Sequence, residues 1–548
     1  MTFTFFKKPL ALISICLCIS LTTIWLQAQP KSSEQQINFS LHQVNLPETK
    51  SGPLLMIPRD LAFHPDNNQE LWVVNRGAPY QIDEHGSYQP NKDASCEWRY
   101  GGRLTPPETS QFWPSFTIIQ NPGSENPKVE NRVDPWGIHF LAEASSIAFG
   151  TKHFSPHYHG PSEVTDKRGD YISFGTCGES RNEMKGCVDW KNGKWKPSTP
   201  LDFQGPTLWS SDPAVFAQKN EVADEHLAKS FCSGSDNPEE CKKNYMDPIC
   251  PDNNPACKPG EKGKPFTLGS HLDMLHESPM CMGIAWEERN AYWVFDGCGG
   301  AQFDNSQHAV DGHGENFNLQ NQLNGMTAES DPVRKNCKTN GDIVRFDFRV
   351  DHGAGFDDHC DGIIERYAIG QVKRVENVPS HMLIWKGNLF IADSGNGRIA
   401  RLNPADAGAR KNYSQHPLSE RVHKACTVVW EMENAEKEIL FSYFDLRKVS
   451  LTNNPAPVPS GLAIFPGTAL PGVDDEGDLL LISDNANSKL LFISLTAQAG
   501  EPGQLVHTID LSEQLKPGSI MGLDVQTGTH HIYLTDAVGN NIWRVEFQ

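Results

Sequence analysis

The chain has 548 residues, 21% of them charged and 9% aromatic, with a formal net charge of −20. That composition supplies apolar material for a large core and excludes extended disorder as the main state. The acidic balance excludes the basic face that a nucleic acid or an anionic membrane surface needs; it suits calcium or a cationic ligand, and equally plain solubility.

The first 28 residues read as a signal peptide. Lys7 and Lys8 form a basic start, and the run from Leu10 to Trp25 is apolar but short for a membrane span. Ala28 supplies the small residue that precedes a cleavage point, so no transmembrane span is expected after cleavage and the mature chain is expected to be extracellular or periplasmic. Cys16 and Cys18 follow Ile15 and Leu17, which are too large for a lipid-attachment site. Loss of Lys7 and Lys8 with the leader makes the mature chain still more acidic. Residues 29–54 read as an N-terminal segment, and 55–548 as one body.

Within that body one local unit recurs: an apolar strand, a turn, a second apolar strand ending in Asp or Asn, a polar turn and a third strand. Three loose copies come first. Asp60 to Phe63 leads to Leu71–Asn75, Ser146 to Phe149 leads to Tyr171–Phe174, and Met282 to Trp286 leads to Ala291–Asp296. Three sharp copies follow. They are His381–Trp385 with Asn388–Asp393 and Ser394–Leu402, Gly461–Phe465 with Leu479–Asp484 and Ser488–Ser494, and Met521–Val525 with His531–Asp536 and Asn541–Glu546. Six similar units predict a repeat architecture, with each unit one blade around a channel. The uneven spacing of Asn75, Asp296, Asp393, Asp484 and Asp536 requires long insertions in the first half. Residues 220–265 form a Cys-rich insertion and 299–341 one rich in Gly, Asn and His; loops of that length are functional or disordered.

The even number of cysteines left after the leader reads as disulfides in an oxidising compartment. Cys232, Cys241, Cys250 and Cys257 crowd the first insertion, Cys177 lies near Cys187, and Cys281 near Cys298. A zinc cluster is the rival reading, against which stands the absence of any CxxC pair. The sequence does not fix the connectivity.

The segment Ala392-Asp-Ser-Gly-Asn-Gly-Arg-Ile399 resembles the NHL repeat signature. The resemblance extends over roughly 55–548 and is sharp in the last third. It implies an all-β, six-bladed propeller of NHL type with long loop insertions. In such a fold, the connection entering each inner strand and the loop after each second strand share the channel-mouth face.

On that face the expected site residues are Arg76, His276 and His381 as a catalytic group, with His271, His276 and His381 as ligands of zinc or copper. Glu277, His139, His308, Asp311 and His313 also fall towards it. Solvated or structural histidines are the alternative, because no compact metal motif is present. Asp351, His352, Asp357, Asp358 and His359 form a dense donor run that suits calcium or a transition metal, or a turn pinned by Cys360. His153, His157 and His159 form a further cluster assigned to the opposite face. No nucleophile elbow, phosphate loop or zinc-protease helix is present.

Pro379-Ser-His381 and Asn75-Arg76-Gly77 resemble the zinc-histidine context and the arginine turn of the peptidyl-hydroxyglycine amidating lyases, secreted six-bladed propellers with zinc in the channel. The corresponding strand starts here read Ser460-Gly461, Ile520-Met521 and Cys281-Met282, so only one of three zinc histidines is matched. The reading is therefore a secreted propeller that binds a small-molecule, glycan or peptide ligand at the channel mouth. The alternatives are a metal-dependent enzyme of the propeller lyase, hydrolase or oxidoreductase type, and an interaction module whose Cys-rich insertion docks another chain.

Overall fold

The computed structural model describes residues 37–48, 54–77, 80–82, 88–90, 115–133, 144–152, 172–178, 186–189, 194–197, 206–211, 237, 271–275, 281–296, 340–349, 362–375, 377–415, 428–449, 455–473, 477–496 and 500–548. Six antiparallel sheets make six blades of a β-propeller. From inner to outer strand, blade 1 is Pro58–His64, Asn67–Asn75, Ser115–Gln120 and Lys128–Val133. Blade 2 is Ala144–Lys152, Ile172–Gly178, Thr207–Ser210 and His271–Met274. Blade 3 is Cys281–Glu288, Ala291–Asp296, Asn340–Asp347 and Ile363–Lys373. Blade 4 is Met382–Trp385, Asn388–Asp393, Arg398–Leu402 and Phe441–Asp445. Blade 5 is Pro459–Pro466, Asp478–Asp484, Lys489–Ser494 and Leu505–Asp510. Blade 6 is Ile520–Val525, Ile532–Asp536, Asn541–Phe547 and, as its outer strand, Phe39–Gln43 from the other end of the chain. All six repeat units read from the sequence correspond to blades. The only helices among the described residues are short 3-10 turns, and none is long and apolar enough to cross a membrane.

The second strands carry the core. Runs such as Asn388–Asp393 and Asp478–Asp484 each carry four consecutive apolar residues and are buried along most of their length, because each is sandwiched between neighbouring blades. Between blades 1 and 2 the filling is aromatic: Trp72, Phe116, Phe174 and Trp209 meet in edge-on and stacked pairs with centroids 5.1 to 6.4 Å apart.

The Asp or Asn that ends a second strand ties down the chain entering the blade. Asn75 accepts the Met56 amide at 3.1 Å, Asp393 the Lys373 amide at 2.8 Å, and Asp484 the Val458 amide at 3.0 Å. Asp393 also holds Asn396 and Arg398, so the three polar positions of the repeat signature close one turn.

Two further strands, Arg410–Gln415 and Val428–Met432, leave blade 4 and extend blade 3 to six strands, Val428–Met432 pairing in parallel with Ile363–Lys373. The strand Asn340–Asp347 takes up the last two residues of the segment read as the second insertion, which otherwise lies outside the described residues. The Cys-rich insertion lies outside them too, apart from Asn237.

The inner strands enter the ring through a register shift in five of the blades, and there they touch their neighbours. Ser380 donates its amide to the Met282 carbonyl at 2.8 Å, His381 to Ser460 at 3.1 Å, and the Ser145 hydroxyl to Cys281 at 2.9 Å. Gly283 sits in the tightest of these contacts, where a Cβ would lie 1.9 Å from the Ser380 carbonyl oxygen. That neighbour is backbone and cannot rotate away. Gly283→Ala should therefore force blades 3 and 4 apart and lower the unfolding free energy by about 2–3 kcal/mol in equilibrium denaturation, the range of core overpacking. A loss under a few tenths would show that the neck opens freely.

Candidate functional site at the neck of the channel

The inner strands make contact in the order of the chain, and blade 1 also meets blade 6, so blades 1 and 4 stand opposite each other. Each inner strand presents one unpaired edge to the channel, with amides that need acceptors. Two carboxylates meet that need. Asp60 of blade 1 accepts the Ile147 amide of blade 2 at 2.9 Å, and Asp524 of blade 6 accepts the Phe63 amide of blade 1 at 2.8 Å. Each also accepts the amide of its own next residue, Leu61 and Val525, at 2.8 Å.

Asp60 has a second partner, from across the channel. His381 Nδ1 lies 3.2 Å from Asp60 Oδ2, and both side chains are buried. A carboxylate at Nδ1 keeps the proton of the neutral ring there and leaves Nε2 as an acceptor. His381 Nε2 has no hydrogen-bond partner among the described residues, although the residue is only 5% exposed. An unsatisfied buried polar atom costs about 1–3 kcal/mol.

The same two blades are joined higher up. Arg59 is buried, and its Nη1 donates to the Asn377 carbonyl at 2.5 Å and reaches Met521 Sδ at 3.4 Å. Arg76 Nη2 lies 3.4 Å from Asn377 Oδ1. The backbone is unusual on both sides of this junction. Asn377 has φ of 61° and Ile57, just before Pro58, has φ of 55°. A β-branched residue in the left-handed region is strained, and such strain clusters at functional sites.

Asp524 is displaced electrostatically. Burial raises its carboxyl to about 6, against the lowering effect of the Phe63 and Val525 amides, and the charge of Asp60 raises it further. A carboxyl raised above its unfolded value takes up a proton on folding. Its contribution is complete below about pH 4 and is lost as pH climbs through 6. Asp524→Asn should flatten that part of the stability profile. Compared with the variant by urea unfolding at pH 4, 5, 6 and 7, the wild type should lose up to about 3 kcal/mol across the series. Parallel profiles would contradict the assignment.

Of the residues expected at the site, the structure brings Arg76 and His381 to the same mouth. His271 opens the outermost strand of blade 2, three strand spacings or about 14 Å from the inner strand, so its backbone is not beside His381. His276, Asp351, His352, Asp357, Asp358 and His359 lie outside the described residues, as do Glu277, His139, His153, His157, His159, His308, Asp311 and His313. Sequence reasoning missed Asp60, Asp524, Arg59 and Asn377. The available signal was an Asp inside an otherwise apolar inner strand, Asp60 before Leu-Ala-Phe and Asp524 after Gly-Leu.

The zinc centre implied by the lyase resemblance does not fit these residues. The other neck positions are Ser460, Gly461, Met521 and Met282, and Cys281 is bonded to Cys177. Among the described residues no three His, Cys, Asp or Glu could hold a metal ion.

No family model matches the chain and no curated protein matches it, so the NHL and lyase resemblances rest on the quoted residues alone. Solved structures with a similar chain path include a luciferin-regenerating enzyme, with 8% identity, TM-score 0.37, and 93% of this chain and 95% of that one covered. An auxiliary nutrient binding protein from Bacteroides ovatus has 8% identity and TM-score 0.34, covering 94% and 78%. A glucose dehydrogenase has 11% identity and TM-score 0.34, covering 93% and 99%. Nothing about function is carried by likenesses of this size.

Proposed function

We propose that this protein is an exported six-bladed propeller that binds a small polar ligand at the neck of its channel, with His381 as the central contact. The observation that carries the reading is the buried Nε2, without a partner among the described residues, of an imidazole whose other nitrogen is held by Asp60. An acceptor held in this way calls for an O–H or N–H donor from a ligand. The leader features of residues 1–28 and the Cys177–Cys281 disulfide support export to an oxidising compartment. A thermal-shift screen of the purified mature protein against small polar metabolites tests the reading. A true ligand at a hundredfold excess over its Kd adds about 2.7 kcal/mol, and that gain should vanish in His381→Phe. If every stabilising compound acts equally on the variant, the neck is not the binding site.

The metal-dependent enzyme stands as a second reading, favoured by one feature: a carboxylate behind an imidazole is how metal-ligating histidines are oriented. It requires further ligands from residues such as His276. Roughly one equivalent of zinc or copper in the purified protein, lost in His381→Ala, would support it; metal-free wild type would end it.

A further inference from the structure

We propose that the strand closing blade 6 is an acid-released latch: protonation of His42 and His531 around Glu546 loosens Phe39–Gln43 from Asn541–Phe547 while the other blades stay closed. The latch stands apart from the neck and does not depend on the binding reading above.

The face of blade 6 that meets blade 1 carries polar side chains in rows across its outer three strands. His42 stands opposite Arg544, and Ser40 opposite Glu546. Arg544 in turn stands opposite Tyr533, whose ring packs edge-on against Phe63 of blade 1. Three basic groups share the Glu546 carboxylate. Arg544 Nη2 lies 2.5 Å from Oε1, His531 Nδ1 lies 3.8 Å from the same oxygen, and His42 Nε2 lies 3.6 Å from Oε2. Arginine keeps its charge at every ordinary pH, so at neutral pH it balances the carboxylate alone. Protonation of both imidazoles then leaves three cations around one anion. His42 faces the Arg544 guanidinium in register, and like charges directly opposite destabilise a strand pair. Phe39–Gln43 is the outermost strand of its blade, so it is the strand free to leave.

The surroundings of His531 set the direction of the response. Burial above all holds its imidazole below the ordinary value; Glu546 works the other way, and Arg544, His42 and His530 add to the lowering. The turn of blade 1 over this face contributes no charge at its contact: a Cβ on Gly123 would lie 2.5 Å from Arg544 Nη1, and Glu125 beyond it is exposed. A base held below its unfolded value binds fewer protons when folded. The latch is therefore at full strength above about pH 6.5 and weakens as pH falls through that value.

Hydrogen exchange of the mature protein at about pH 7.5 and about pH 5.5 tests the latch. After correction for the intrinsic rate, the amides of Phe39–Gln43 should exchange about fivefold faster at the lower pH. Those of Phe441–Asp445, the outer strand of blade 4, should keep their protection. His42 is exposed and His531 half-buried, so His42→Gln and His531→Gln leave the core untouched; each should cut the acid effect to about twofold or less. About 1 M salt should restore protection in the wild type by screening the cations. Equal protection of Phe39–Gln43 at both pH values overturns the latch. Equal loosening of the blade 4 strand, or an acid effect that survives both substitutions, overturns it as well.

Discussion

Replacing Asp60 by Ala should be among the most damaging single changes in the ring, lowering the unfolding free energy by about 3–5 kcal/mol. Each buried donor left without its acceptor costs about 1–3 kcal/mol. Three groups lose their acceptor at once: the Ile147 amide, the Leu61 amide and His381 Nδ1. Gly522 of blade 6 has no side chain to fill the space; a Cβ there would already lie 2.4 Å from Asp60 Oδ1. A double-mutant cycle with His381→Leu gives the sharper measurement. With the imidazole gone, Asp60 has less to hold, so the double variant should be at least 1 kcal/mol more stable than the sum of the single effects. Additive losses in guanidinium unfolding would mean that the bridge across the channel carries no coupling.

The second large effect belongs to the Cys177–Cys281 disulfide. It joins the second strand of blade 2 to the entry of blade 3, closing 104 residues of chain. By loop-closure entropy a crosslink over about 100 residues stabilises by roughly 4.7 kcal/mol, and native disulfides in exported domains typically contribute 2–5. Cys177→Ala with Cys281→Ala should therefore reduce stability by about 3–4 kcal/mol in chemical denaturation under non-reducing conditions. The double alanine variant removes the burial of both sulfurs together and avoids leaving a reactive thiol at the neck. An unchanged denaturation midpoint would imply that the insertion between the two cysteines already restrains the unfolded chain.

The blades were legible in the sequence because the physics that makes them is local. A strand buried on both faces needs an unbroken apolar run, as in Leu479–Ile482, and its polar end must tie the turn, as Asp393 does. The strap formed by Arg410–Gln415 and Val428–Met432 is not legible in that way. Its strands alternate polar and apolar residues weakly, and they pair with a strand of another blade. The disulfide was equally hidden, because proximity along the chain favours Cys187 and Cys298 whereas the ring brings Cys177 to Cys281. At the site, His381 and Arg76 could be placed by blade topology. Asp60 could not, since its meaning depends on a residue 321 positions away that reaches it from across the channel.

The outer strand of blade 6 has a consequence for how the molecule is made. Phe39–Gln43 pairs with Asn541–Phe547, and Gln43 bonds to Asn541 across 498 positions. Among the described residues the first strand is thus the partner of the last, and blade 6 is complete only once both are present. Contacts of such long range are slow to form, because the loop entropy must be overcome first.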